Sequence, residues 1–124
     1  MTIISPAEKY FKYGTQEFYQ KEQEMFNESL YKKDYETCFN ILYCATIRYA
    51  HIRRKNRYIP DLEENVLDMV SRTMERIEFE DFKMVSLKYC DSLAMAAMNM
   101  YKTKQKRFED NMTSFDTIIK DMDI

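Results

Sequence analysis

The side chains in this chain that could do covalent or proton chemistry are one histidine and three cysteines, and their spacing supports no catalytic arrangement. His51 sits inside a run of bases, and the residue three positions before it is Arg48, so the Glu-x-x-His pattern of a carboxylate-bridged metal bundle fails at its first position. Cys38, Cys44 and Cys90 lack the CxxC spacing of a zinc site. An odd number of cysteines in apolar surroundings reads as reduced core thiols. A cysteine paired with the one histidine would make a formal nucleophile and base, but nothing in the sequence brings them together. With a single glycine the chain can supply neither a P-loop nor a GxGxxG turn. The expectation is a protein that is not an enzyme and requires no metal or cofactor.

The chemistry that the sequence does offer is charge recognition. The net charge of −2 conceals strong segregation. Residues 48–60 hold five bases and no acid, residues 61–81 eight acids and two bases, and residues 82–108 six bases and one acid. The last sixteen residues hold five acids and one base. A surface tuned only for solubility interleaves its signs, so these blocks predict separate acidic and basic faces. The run Arg48, Arg53, Arg54, Lys55 and Arg57 exceeds what a helix C-terminus needs to satisfy its dipole, and reads as a candidate phosphate or acidic-partner contact. A second cluster, Lys102, Lys104, Lys106 and Arg107, follows Tyr101, a combination suited to a nucleic-acid strand.

Helices must position these charges. One Gly and two Pro leave little chemistry for hairpins, and 45% hydrophobic with 32% charged residues describes a folded chain of one domain. Ser5, Pro6 and Glu8 predict a capping box, and Gly14 predicts a break. Phe18, Tyr19, Met25, Phe26 and Leu30 predict a surface helix over residues 15–33 docked by an aromatic stripe. In residues 34–54, Tyr35, Cys38, Leu42, Ala45, Tyr49 and Ile52 step by three and four, predicting one continuous apolar stripe. Pro60 stops that helix, and Asp61 with Glu64 predicts a capped start for the next. Leu62, Val66, Met69, Val70, Thr73 and Ile77 form its inner stripe; Glu63, Glu64, Asp68, Arg72, Glu75 and Arg76 face outward. Residues 78–85 read as a connector anchored by Phe79 and Phe82. Ser86 is expected to cap a last long helix, buried through Leu87, Cys90, Ala94, Ala97, Tyr101 and Phe108. The expected architecture is an all-α, small orthogonal domain of four to five helices, with a helical extension over 1–33, a core domain over 34–108 and an acidic-hydrophobic tail over 109–124.

From residue 34 onward the order of features resembles the second conserved region of bacterial sigma factors of the sigma-70 family. In that family a basic-ended helix precedes one opening on an acidic pattern, here Asp61-Leu62-Glu63-Glu64-Asn65-Val66-Leu67-Asp68. A connector and an alanine-containing helix ending in bases follow, here Phe82 to Tyr89, Ala94 to Ala97 and Lys102 to Arg107. The resemblance is strongest to the short late sigma factors of phages, and the fold it implies is a three-helix core like that region. By position it implies that Asp61, Glu63, Glu64, Asp68, Arg72 and Arg76 dock on the clamp helices of the β′ subunit of core RNA polymerase. It implies that Lys83, Lys88, Tyr89, Tyr101, Lys102, Lys106 and Arg107 face promoter DNA near the minus-ten element; Arg53, Arg54, Lys55 and Arg57, from the basic run, join them as DNA-binding candidates. The chain contains no Trp, so Tyr89 and Tyr101 stand where the family melts DNA with a Trp-rich helix. The tail residues Phe115, Ile118 and Ile119 resemble the ending by which phage late factors hold a sliding clamp or co-activator.

The expected function is therefore a phage-type sigma-like initiation factor acting in the bacterial cytoplasm. It would direct host RNA polymerase core to phage promoters. Two rivals have the same charge pattern: a helical adaptor or inhibitor that binds a host protein without DNA contact, and a structural component of a larger assembly. No apolar run reaches the ~20 residues of a membrane span, and the first residues do not read as a signal peptide.

Overall fold

The computed structural model describes residues 5–100. Ser5 precedes a 3-10 turn, Pro6–Lys9. Three α-helices follow: α1 (Gln16–Lys32), α2 (Tyr35–Arg54) and α3 (Leu62–Glu80). A fourth, α4, is helical over residues 89–100. The all-helical expectation holds, and among the described residues there is no strand.

Local chemistry sets most of the boundaries. Gly14 takes φ +87, where its missing Cβ removes the steric penalty, and Thr15 then caps α1 by accepting a hydrogen bond from the Phe18 N–H. Asp34 caps α2 in the same way through the Thr37 N–H. Both α1 and α3 end in a left-handed residue that is not glycine: Lys33 (φ 58) and Asp81 (φ 54). In each case the next two N–H groups turn back onto the last carbonyls, from Lys33 to Leu30 and Asp34 to Ser29, and from Asp81 to Glu78 and Phe82 to Ile77.

α2 lies at the centre and packs against both α1 and α3. Phe26 and Leu30 of α1, Cys38, Ile41, Leu42 and Ala45 of α2, and Val66, Val70 and Ile77 of α3 join one buried cluster. Leu87, Cys90, Leu93, Ala94, Ala97 and Met98 close it from the α4 side. The segment expected as an extension thus contributes to the common core. Gln23 of α1 pins the chain before α4: its side-chain amide donates to the Val85 carbonyl at 2.8 Å and accepts from the Leu87 N–H at 2.7 Å.

Several expectations are corrected. Ser5 makes no cap; its hydroxyl donates instead to the buried Glu22 carboxylate at 2.6 Å. Asp61 stands at the start of α3 but in a left-handed conformation, φ 57, which turns its side chain away from a capping position. Ile52 is exposed, because α2 has passed the core by its last turn. Phe79 is no anchor: α3 runs on to Glu80 and holds Phe79 90% exposed, two residues round from the buried Ile77. Ala96 faces outward, while Leu93 and Met98 complete the α4 face.

Candidate functional site

The basic run at the end of α2 is divided by the fold. Arg48 is not a surface contact. Its guanidinium donates two hydrogen bonds to Glu22 of α1, at 2.9 and 2.8 Å, with only 8% and 2% of the two side chains exposed. Ser5 donates to the same carboxylate. The Phe18, Tyr13 and Tyr19 rings lie 5.1, 5.2 and 5.5 Å from the guanidinium carbon, in the range of cation–π attraction. Burial works against the Arg48 cation, but the Glu22 hydrogen bonds and charge outweigh it and raise its pKa. This is structural chemistry that fastens α1 to α2.

Arg53 is tied across to α4, donating from Nε and Nη2 to both Asp91 carboxylate oxygens. That pairing holds the Asp91 carboxyl below its ordinary value. Arg54 donates to His51 Nδ1 at 3.0 Å and to the Arg57 carbonyl. It lines a depression shared with Tyr58, Asp61, Glu63 and Glu64. Lys55 ends α2 at φ 54, ψ −118, a backbone region that L residues rarely adopt, and both Lys55 and Arg57 are exposed. Among the described residues neither makes an ion pair. With Tyr49, Ile52, Met95, Met98 and Asn99 they line a cleft of about 590 Å³ between α2 and α4. Arg53 and Asp91, which pair with each other, line the same cleft.

The acidic residues form their own face. Glu63 and Glu64 are exposed on the first turn of α3, and Asp68 lies a turn further along. Asp68 pairs with Arg72 at 3.0 Å and Arg76 with Glu80 at 3.3 Å, both exposed i,i+4 pairs that contribute about 0.3–0.5 kcal/mol each. All six expected polymerase-facing residues are on α3 or its cap, and every one has surface exposure.

The remaining DNA-facing candidates are not gathered into the α2–α4 cleft. Lys83 pairs with Asp81 at 3.2 Å. Tyr89 lines a groove between α3 and the residues before α4. Lys88 borders a third hollow, beside Tyr49 and the Glu22–Arg48 pair. Tyr101, Lys102, Lys106 and Arg107, and the tail residues Phe115, Ile118 and Ile119, lie outside the described residues.

The three cysteines are buried and form no disulfide among the described residues, and burial pushes each thiol up to about 11. Among the described residues no group of three or more His, Cys, Asp or Glu side chains is placed to hold a metal. No helix of the described residues is long and apolar enough to cross a membrane.

Charge spacing alone did not reveal the Glu22–Arg48 pair. The available signal was pattern: Glu22 falls between Phe18 and Phe26 at i+4 steps, and Arg48 falls between Ala45 and Tyr49, so both charges stand on apolar stripes. No protein-family model matches the chain, and no curated protein and no solved structure matches it either.

Proposed function

We propose that the chain is a phage-type sigma-like factor that binds bacterial RNA polymerase core in the host cytoplasm and directs it to promoters. The observation that carries the reading is the division of labour on α3. Its inner stripe is consumed by the core, while Glu63, Glu64 and Asp68 remain on an exposed face with no structural task beyond one weak surface pair. An acidic helix face of this kind suits a basic partner surface, where charge sets on-rate and orientation. The Lys55–Arg57 cleft lies on a different side of the same α2 end and suits a phosphate backbone.

The experiment is gel filtration of the purified chain with core RNA polymerase. Co-elution is expected, and the triple variant Glu63→Lys, Glu64→Lys, Asp68→Lys should elute apart while keeping the wild-type helical signal. Separate elution of the wild-type chain overturns the polymerase reading. Normal co-elution of the triple variant overturns the assignment of the α3 face.

A further inference from the structure

We infer that the outward ridge of α3, formed by Glu63, Leu67, Ser71, Glu75 and Phe79, packs against a basic helix of the polymerase, with Phe79 as its principal apolar contact. The inference rests on the polymerase reading and extends the docking face about three helical turns beyond Asp68.

The five residues recur at i, i+4, i+8, i+12 and i+16. Rows of this spacing are the ridges that pack into the grooves of a second helix. None of the five is buried. Glu63 and Glu75 are exposed, Ser71 is half-buried, Leu67 is 44% exposed and Phe79 90%. The buried Val66, Val70 and Ile77 occupy the core-facing side of α3, so the fold makes no use of the ridge. Ser71 at its middle is small enough for a second backbone to come close. Leu67 and Phe79 stand on either side of it, twelve positions or roughly 18 Å apart, as two apolar knobs.

No other large apolar side chain of the described residues is as exposed as Phe79. The ring is also held in place. It lies in the last turn of α3, where the Asp81 and Phe82 N–H groups turn back onto the Glu78 and Ile77 carbonyls. An aromatic ring brings a large area to an interface, and one fixed on an ordered helix has little backbone freedom left to lose.

The charge of the partner follows from the flanks of the ridge. Glu63, Glu64, Glu75 and Glu78 make no ion pair among the described residues. The nearby cations are already satisfied, Arg72 by Asp68 and Arg76 by Glu80. An acidic helix is repelled by such a face, and a purely apolar one leaves its carboxylates desolvated and unpaired. A helix that carries Lys or Arg beside its apolar positions meets both parts.

The test measures the affinity of the dye-labelled chain for core RNA polymerase by fluorescence anisotropy. Phe79→Ala should bind about tenfold more weakly or worse, with the thermal midpoint of the free chain unchanged. Met84→Ala removes another exposed side chain, off the ridge, and should bind as wild type. Glu75→Lys should weaken binding several-fold and make its salt dependence shallower. Wild-type affinity in Phe79→Ala overturns the inference and leaves the polymerase reading standing. An equal loss in Met84→Ala also overturns it, and absence of binding by the wild-type chain overturns both. A photo-activated benzophenone residue at the position of Phe79 then identifies what the ridge touches. Cross-links should map to a helical polymerase segment rich in Lys and Arg, and cross-links confined to acidic or non-helical segments overturn the inference.

Discussion

Arg48→Met tests whether the longest basic run of the chain is a surface contact or part of the scaffold. Methionine keeps about the length of the apolar stem but not the guanidinium, so it removes both hydrogen bonds to Glu22 and leaves that carboxylate, 2% exposed, with Ser5 as its remaining donor. Removing one partner of a buried pair costs about 3–5 kcal/mol, because the other charge stays desolvated. A domain of this size has a total stability of about 5–15 kcal/mol. Urea unfolding followed by circular dichroism should therefore show the midpoint falling by about 2 M, for a slope of about 2 kcal/mol/M. The double variant Glu22→Leu/Arg48→Met removes both charges and should cost clearly less than the sum of the two single changes, with a coupling of about 1–3 kcal/mol. A loss below about 1 kcal/mol for Arg48→Met, or strict additivity in the cycle, would refute the buried pair. It would return Arg48 to the phosphate-facing run.

Three further outcomes follow from the same geometry. Lys33→Gly and Asp81→Gly each relieve a left-handed residue, a strain of about 1–2 kcal/mol, offset by about 0.5–1 kcal/mol of unfolded-state freedom. Each should raise the thermal midpoint by up to about 5 °C, and a lowered midpoint at both sites would contradict the two helix-end turns. Asp91 is held below its ordinary value, chiefly by the Arg53 hydrogen bond, so its stabilisation is present above the unfolded value and lost as pH falls through the folded one. The midpoint advantage of wild type over Asp91→Asn should be flat near neutrality and shrink below about pH 4; an advantage independent of pH would mean the two side chains do not pair. With all three thiols pushed up to about 11 by burial, the reactive thiolate at neutral pH is on the order of one part in ten thousand. A disulfide reagent should titrate three thiols in urea and none quickly in the native protein, and one fast native thiol would break this reading.

Helix positions were legible because each left a periodic trace. Cys38, Leu42 and Ala45 on α2 and Leu62, Val66, Val70 and Ile77 on α3 are buried as their spacing demands. Thr15 and Asp34 cap where short polar residues precede apolar stripes. The failures are tertiary. Ser5 and Glu8 spell a capping box, but a buried carboxylate on α1 takes the serine hydroxyl. Asp61 and Glu64 spell another, but the chain leaving Pro60 enters α3 through a left-handed residue. The connector before α4 could not be placed from sequence, since Gln23, sixty-two positions earlier than Val85, fixes it. Charge runs were the least legible feature. Sequence shows that bases cluster, and only packing shows that Arg48 turns inward and Arg53 turns to Asp91.

That redistribution sharpens what the α2–α4 cleft can do. Of the five bases in the run, one is buried, one is paired with Asp91 and one donates to His51 and a carbonyl. Lys55 and Arg57 are left exposed on the cleft. Two phosphate contacts change the logarithmic salt dependence of binding by about 1.8, at about 0.9 per contact. Two such contacts are too few for the cleft to hold duplex DNA by itself, so under the proposed function it would act on DNA that polymerase already holds. The measurement is binding of forked minus-ten DNA to the polymerase complex across a salt series, with wild type against Lys55→Ala/Arg57→Ala. The double variant should weaken binding to all sequences alike and flatten the slope by about 2. An unchanged slope would mean that these two cations face protein or water, and that the basic face needed for promoter contact is formed elsewhere in the chain.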